Sequence, residues 1–175
     1  MILDRLLKPR PAKAAGAKLY MSAVAQARSA PLYAMGVRDS LEGRFELFTL
    51  HVVLLLERLK GQGELAAETS QAVFDSYVRG LDDAFREIGV SDNAVGKKMK
   101  KLAGAFYGRL KAYDEAVGIL PDRTALAAVI ERTVLEERCE GDVEGLSSYV
   151  IAAREHLANL PLDVLLQGEA QWPNP

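Results

Sequence analysis

The residue types that could do chemistry are few in this chain, and their spacing does not assemble a catalytic device. There are two histidines, His51 and His156, and one cysteine, Cys139. Neither histidine has a good metal ligand four residues away on its predicted helix. Cys139 stands among three glutamates, whose negative field disfavours the thiolate that a nucleophile needs. We therefore predict no enzyme, no metal and no cofactor. A helical cleft in which His51 acts with Glu46 or Arg44 is the enzymatic alternative.

Charge is concentrated on either side of one predicted turn, in residues 81–101. Gly89 suits the left-handed conformation that closes a helix, and Asp92 is a candidate cap for the next one. Acid–base pairs at i, i+4 spacing precede the turn, namely Asp75–Arg79, Arg79–Asp83 and Asp82–Arg86. A lysine block follows it, formed by Lys97, Lys98, Lys100 and Lys101. Because cations near a helix start destabilise that helix, the block indicates an anionic partner: RNA phosphate, an acidic protein face or a lipid headgroup. A solvated surface is the alternative for both groups of charges.

The elements that position these residues are helices. Apolar residues recur at three- and four-residue spacing, and no alternating strand pattern bounded by hairpin turns is present. We predict an all-α fold, a single compact domain of about six helices in an irregular helical bundle. The helices are expected over residues 12–28, 41–60, 64–88, 93–117, 123–139 and 143–159, before a short turn ending near residue 168. The second is apolar on two sides and is expected to be central. The third and fourth are expected to be antiparallel, packed closely along a ridge that contains Gly104 and Gly108.

Three segments are predicted along the chain: a basic, partly flexible N-terminal segment (residues 1–19), the helical domain (20–168) and a C-terminal tail (169–175). The first segment lacks the apolar core and cleavage site of a secretory signal, and Pro9 and Pro11 limit any helix there. We interpret it as a frayed terminus, with a weak membrane-surface contact as the alternative. The tail is expected to be loose, with Trp172 as its candidate for docking.

Composition and charge exclude some classes of partner. The chain has 175 residues, 49% hydrophobic and 26% charged, with a net charge of −2. It therefore has no global field to attract DNA or an anionic membrane, and any electrostatic partner must meet a local patch. No apolar run reaches the ~20 residues that span a bilayer. A single cysteine excludes an internal disulfide and fits the reducing cytoplasm.

Several short motifs follow one another in a specific order over residues 20–117. The first group consists of Tyr20, Ala27-Arg28, Pro31-x-Tyr33-x-x-Gly36-Val37-x-Asp39, Gly43-Arg44-Phe45-Glu46 and Leu50-His51. The second consists of Asp82, Arg86-Glu87-x-Gly89-Val90-x-Asp92, Val95-Gly96-Lys97-Lys98-x-Lys100, Phe106-Tyr107-Gly108-Arg109 and Ala112-Tyr113. In these motifs the chain resembles the ubiquinol–cytochrome c chaperone family, the assembly factors of respiratory complex III. It departs from the family pattern at Gly80, where an acidic residue is usual, and at Ser91, where glycine is usual. From residue 122 on, no family motif is recognisable.

The resemblance implies a non-enzymatic chaperone that binds newly synthesised cytochrome b and promotes assembly of the ubiquinol–cytochrome c reductase. It also implies action near the ribosome and a small partner subunit. Without a targeting sequence, the chain resembles a bacterial member on the cytoplasmic side of the inner membrane, peripherally associated with it. An RNA- or ribosome-binding module is the alternative function.

The resemblance also implies which residues meet partners. Those carried over are Arg44, Glu46, His51, Asp82, Arg86, Glu87, Lys97, Lys98, Lys101, Tyr107 and Arg109. A holder of an apolar client needs an exposed apolar patch with charges at its edge. We expect Tyr33, Met35, Phe106 and Tyr107 to line it, with Arg44, Glu46 and Arg109 on the rim. The alternative is that all four apolar residues belong to the core.

Overall fold

Helices account for all regular structure in residues 11–136 and 141–175, which this computed structural model describes. They are α1 (Pro11–Ala27), α2 (Ala30–Ala34), α3 (Leu41–Leu59), α4 (Glu64–Glu87), α5 (Asp92–Gly118), α6 (Thr124–Thr133), α7 (Val143–Asn159) and α8 (Leu162–Leu166). Two of the eight, α2 and α8, have only five residues each. The six longer helices correspond to the six predicted ones, and within the described residues there is no strand. The all-α fold and the single domain are confirmed.

Helix α3 lies at the centre of the bundle. It is capped at its start by Ser40, whose hydroxyl oxygen accepts from the Gly43 amide at 3.0 Å. From Glu46 to Leu55 the helix is buried on nearly every side, and it packs against α1, α4, α5 and α7. The prediction of a central second helix, made from its two apolar sides, is confirmed.

The closest approach of two helices is between α1 and α4. A Cβ atom at Gly16 would lie 2.5 Å from the Cβ of Ala72 and 2.8 Å from the backbone nitrogen of Val73. Further along the same pair, the Tyr20 hydroxyl occupies the space that a Cβ at Gly80 would need. In this chain the Tyr20 hydroxyl therefore fills the space beside Gly80, and a side chain at residue 80 would require Tyr20 to move.

The prediction of a glycine ridge between α4 and α5 is wrong. Cβ atoms at Gly104 and Gly108 would have no neighbour within 4 Å, so this side of α5 faces solvent. The two helices are antiparallel, as expected, but they meet through aromatic rings: Phe106 lies 5.1 Å from Phe74 and 5.0 Å from Tyr77 between ring centroids. Burial of large rings stabilises more than close backbone approach does, and it decides which face turns inward.

These glycines give a paired stability prediction. Gly16→Ala should lower the free energy of unfolding by about 1–3 kcal/mol, because the new methyl group meets backbone atoms that cannot move aside. Gly108→Ala should raise it by up to about 1 kcal/mol, because an exposed helix position gains helix propensity without a clash. Urea unfolding followed by circular dichroism measures both. Changes of the same sign in the two variants would contradict this assignment of the packed face.

Two helix ends differ from the prediction. Helix α6 ends at Thr133 and not at residue 139, because Val134 and Leu135 turn into the core and Glu136 adopts a left-handed φ of 54°. Residues 137–140, which include Cys139, lie outside the described residues. At the start of α5, the N-cap residue is Ser91 and not the predicted Asp92, which is the first residue of the helix.

The C-terminal segment lies along α1. Trp172 Nε1 donates to the Ser22 hydroxyl at 2.9 Å, and Gln26 Nε2 donates to the Pro173 carbonyl at 3.1 Å. Trp172, the candidate for docking, therefore fastens a tail that was expected to be loose. At the other terminus, the predicted boundary at residue 20 falls inside α1, and residues 1–10 lie outside the described residues. None of the described helices combines the length and apolar character needed to cross a bilayer.

Candidate functional site

The structure does not gather the predicted site residues into one place. His51 is in the core. Glu46 and Arg109 connect α3 to α5, with Tyr33 and Arg44 near the start of α3. Asp82, Arg86, Glu87, Lys97, Lys98 and Lys101 flank the α4–α5 turn, and Tyr107 borders a groove. Each group has a different physical role.

His51 has no exposed surface. Its Nδ1 lies 2.7 Å from the Leu47 carbonyl, and its Nε2 lies 2.7 Å from the Tyr149 hydroxyl. Burial lowers the pKa of His51 to about 4, so the imidazole is neutral, donating to Leu47 and accepting from Tyr149. Gln26 Nε2 also donates to the Tyr149 hydroxyl at 3.0 Å, so Gln26, Tyr149 and His51 form one hydrogen-bond network. Because its side chain is buried, the prediction that His51 contacts a partner at the surface is wrong.

Glu46 and Arg109 form a two-pronged ion pair between α3 and α5. Arg109 Nε donates to Glu46 Oε2 at 3.0 Å, and Arg109 Nη2 donates to Oε1 at 2.7 Å. Glu46 is 8% exposed, and the Arg109 side chain is 29% exposed. The hydrogen bonds to Glu46 raise the pKa of Arg109. Two parallel charge-assisted bonds at a half-buried position hold the two helices in register, and they leave little of Glu46 for a partner.

The segment before α3 forms a separate, partly exposed cluster. Arg44 Nε donates to Asp39 Oδ1 at 2.6 Å, and both side chains are 63% exposed. The Tyr33 hydroxyl donates to the Ala27 carbonyl at 3.0 Å, and its ring packs on the core, as does Met35. Arg44 is therefore available at the surface, while Tyr33 is only half-exposed.

The α4–α5 turn is fastened by Arg86. Gly89 has the predicted left-handed conformation, with a φ of 79°, and the Val90 amide donates to the Phe85 carbonyl at 3.0 Å. Arg86 donates to Asp82 Oδ2 at 2.7 Å and also to Asp92 across the turn. Of the three predicted i, i+4 pairs only Asp82–Arg86 forms; Asp75 instead accepts from Gln71. Arg86 and Asp82 therefore stabilise the turn, and Glu87 stands exposed beside it.

The lysine block is exposed. Lys97, Lys98, Lys100 and Lys101 all project from the first turns of α5. No carboxylate in the described ranges, 11–136 and 141–175, lies within ion-pairing distance of their ammonium groups. Lys98 instead lies over the ring of Phe85, 5.3 Å from its centroid. The block is thus a surface of positive charge that internal ion pairs do not neutralise.

An apolar groove opens between α3, α4 and α5. Its volume is about 630 Å³, and its floor includes Leu54, Phe74, Phe106 and Leu110. Tyr107 stands at its edge with 58% of its surface exposed. Lys60 pairs with Asp114 at 3.1 Å at the groove's edge, and Glu57 pairs with Arg154 at 2.9 Å. The groove is apolar inside with paired charges along its rim.

Sequence reasoning anticipated only part of this groove. Phe106 and Tyr107 do line it, but Phe106 is 1% exposed and forms its floor, while Tyr33 and Met35 lie elsewhere. The rim charges are likewise different from the predicted Arg44, Glu46 and Arg109. A usable signal was present in Ala67 and Ser70, since small side chains on the face of α4 next to Phe74 leave room between the helices.

The described residues therefore form a helical bundle with an apolar groove and a separate basic surface, and they contain no cluster of His, Cys, Asp and Glu able to hold a metal. The sequence profile of the ubiquinol–cytochrome C chaperone family matches residues 33–172. The chain belongs to this family, which confirms the resemblance and extends it over the last third, where no motif was recognisable.

Two similar proteins are named as assembly factors of the ubiquinol–cytochrome c reductase complex. The ubiquinol–cytochrome c reductase complex assembly factor 1 of Mus musculus is 30% identical over 137 residues, covering 77% of this chain and 46% of the mouse protein. The Xenopus laevis protein is 28% identical, covering 77% of this chain and 68% of its own length. This chain thus spans about half the length of the mouse relative.

A solved structure shares the whole fold. The crystal structure of the Cbp3 homolog from Brucella abortus superimposes with a TM-score of 0.85 at 33% sequence identity. The match covers 99% of this chain and 97% of the Brucella chain.

Proposed function

We propose that this chain is an assembly chaperone for the ubiquinol–cytochrome c reductase, complex III, and that it holds newly synthesised cytochrome b by an apolar segment seated in the groove between α3, α4 and α5. Membership of the family supports the class of function, since the mouse and Xenopus relatives are complex III assembly factors. The apolar groove is the observation that carries the proposal.

The apolar interior of the groove suits a membrane protein that has not yet been inserted. Such a client exposes apolar side chains, and burying them stabilises a complex by roughly 25 cal/mol per Å². A groove of about 630 Å³ accepts only a few side chains at a time. Binding on this scale is reversible, which a protein that releases its client for insertion requires. The Lys60–Asp114 pair keeps the rim hydrated and offers hydrogen bonds to the client backbone.

The lysine block supports a second, electrostatic contact. Lys97, Lys98 and Lys101 are exposed at the far end of α5 from the groove and are not neutralised by neighbours. Ribosomal RNA, an acidic small partner subunit or the anionic surface of the inner membrane would each complement them. Their exposure is also the observation that favours the alternative function, an RNA- or ribosome-binding module.

Complementation of a deletion strain tests the proposal. Loss of the gene should lower assembled complex III and cytochrome b while other respiratory complexes stay near normal, and the wild-type gene should restore both. Tyr107→Glu places a charge at the groove edge without disturbing the core and should restore much less. Met21→Glu is the matched control, because Met21 is 60% exposed on α1 and should tolerate the same change.

Normal cytochrome b and complex III in the deletion strain would contradict the assembly role. In that case RNA binding by the purified chain, measured from low to high salt, becomes the decisive experiment. A steep loss of affinity with salt that is absent in a variant with Lys97, Lys98 and Lys101 changed to Gln would support the alternative.

A further inference from the structure

The exposed side of α5 extends the lysine block along the helix. From residue 96 to residue 111, every exposed residue is a lysine, a glycine or Tyr107. The lysines are the four of the block and Lys111, and this stretch contains no aspartate or glutamate. We call these exposed residues the lysine face. Because the net charge of the chain is only −2, the positive charge of this face is a local feature.

The carboxylates nearest to the lysine face do not neutralise it. Asp92, at the start of α5, is already bonded across the α4–α5 turn. Asp83 and Glu87 are exposed at the end of α4, but within the described part of the chain no carboxylate pairs with the lysine block. At the far end of the face, Lys111 has Glu115 at 3.8 Å. The block therefore has positive charge left for another molecule.

The middle of the lysine face is uncovered. A Cβ atom at Gly104 or Gly108 would meet no atom within 4 Å, so no neighbouring side chain lies over the helix there. Residues 96 to 111 extend over about 22 Å along the helix axis, at 1.5 Å per residue. A planar anionic surface can therefore approach α5 along this whole length and meet its lysines together.

The side chains of the lysine face suit a lipid surface better than a nucleic acid. All its cations are lysines, because Arg109, the one arginine of the stretch, is bonded to Glu46. Arginine binds phosphate in a fixed geometry and stacks on bases, whereas lysine is a hydrated point charge attracted to any anionic surface. Tyr107 is 58% exposed, and tyrosine is enriched where a bilayer meets water. Stacking along a strand of bases requires several aromatic rings.

We infer that this chain lies on an anionic phospholipid bilayer through the lysine face of α5, with lipid phosphates against the lysine block and Tyr107 among the headgroups. Tyr107 and Lys111 also line the apolar groove, so this contact places the edge of the groove at the bilayer surface. The lipid contact itself does not depend on a client. Only its use, the passage of an apolar segment from the groove to the bilayer, rests on the proposed function.

Co-sedimentation of the purified full-length chain with vesicles tests the inference. At physiological salt, vesicles of phosphatidylcholine and phosphatidylglycerol should bind the wild type, and vesicles of phosphatidylcholine alone should bind it far less. Each lysine at an anionic surface strengthens binding roughly fivefold. Changing Lys97, Lys100 and Lys101 together to Gln should therefore weaken binding to the anionic vesicles by about a hundredfold.

The matched control changes three exposed cations of α1 to Gln, namely Lys13, Lys18 and Arg28. It lowers the net charge by the same amount on a helix that packs against α3, α4 and α8. Because salt screens charges outside the contact, it should weaken vesicle binding by less than about threefold. Equal losses in the two triple variants, or a wild type that does not bind the anionic vesicles, would overturn the inference. Binding to polyuridylate without binding to vesicles would also overturn it, in favour of the RNA alternative.

Gly108 separates charge from shape. Gly108→Gln and Gly108→Glu place side chains of similar size on the lysine face, and the open space there accepts both. The Glu variant should bind anionic vesicles at least about fivefold more weakly than the Gln variant, because its carboxylate opposes the lipid phosphates. Equal binding of these two variants would contradict a contact at this face. None of these measurements involves cytochrome b, so a failed assembly role in the deletion strain and a failed lipid contact give separate results.

Discussion

Glu46→Ala is expected to lower the free energy of unfolding by about 2–3 kcal/mol, because it leaves the Arg109 guanidinium half-buried without its carboxylate. The expected loss lies at or below the low end of the roughly 3–5 kcal/mol that breaking a fully buried pair costs, since the Arg109 side chain is 29% exposed and water can reach it. The loss should be accompanied by looser contact between α3 and α5, and therefore by faster amide hydrogen exchange at the C-terminal half of α5.

A double-mutant cycle separates the pair from other effects of each substitution. Glu46→Ala, Arg109→Ala and the double variant should give a coupling energy above about 1.5 kcal/mol in urea unfolding. The exposed pair Asp39–Arg44 is the matched control, and its cycle should give less than about 1 kcal/mol. Similar coupling for both pairs would mean that burial contributes nothing at Glu46.

The bounds of the helices were predictable because they depend on local signals. Ser40 caps α3 through an amide three residues away, and Gly89 closes α4 through its own backbone conformation. The long helices begin and end within about one residue of their predicted ends, with one exception. Helix α6 ends at Thr133, although the apolar spacing continues through the buried Val134 and Leu135. The spacing of apolar residues indicates that they are buried, but it does not show whether they lie inside the helix or just after its end.

The arrangement of the candidate site was not predictable in the same way. Glu46 and Arg109 are 63 residues apart, and His51 and Tyr149 are 98 residues apart. Nothing local to either residue indicates its partner. The face of α5 shows the same limit, since a glycine ridge and an aromatic stripe competed for the interior and only the packing of Phe106 decided between them.

The groove depended on three helices at once. Phe106 and Tyr107 were recognised as candidates, but their partners on α3 and α4 were not. The family resemblance correctly gave the class of protein, because it draws on the order of motifs along the chain. It transferred His51 as a contact residue, however, and a conserved-looking motif position does not distinguish a buried structural residue from a surface one.

Protonation of His51 is expected to lower the free energy of unfolding in acid. In the folded state burial lowers the pKa of His51 to about 4, while in the unfolded chain it is about 6.5. Between these values the unfolded chain binds more protons, so the stability that His51 contributes is fully present above pH 6.5 and is lost as the pH falls towards 4. Tyr149 does not titrate in this range, because burial raises its pKa to about 12.

We expect the wild type to lose about 2–3 kcal/mol more than His51→Gln between pH 7.5 and pH 4.5, at about 1.4 kcal/mol per pH unit once the pH is below 6.5. The comparison removes the contribution of carboxylates, which titrate in both proteins. Urea unfolding at half-unit pH steps gives the free energies. Fluorescence of Trp172, the single tryptophan, gives a local signal, because its ring centroid lies 5.0 Å from that of the His51 imidazole. This contact is lost if the C-terminal tail detaches.

The matched control is His156→Gln, which removes the exposed histidine of α7. It leaves intact the hydrogen-bond network of Gln26, Tyr149 and His51. This variant should follow the wild-type pH dependence. Parallel pH profiles for wild type and His51→Gln would contradict the prediction, since they would mean that protonation of His51 costs the folded state nothing. An early change in Trp172 fluorescence near pH 5, before the helices unfold, would place the first acid-induced opening at the contact between the C-terminal tail and α1.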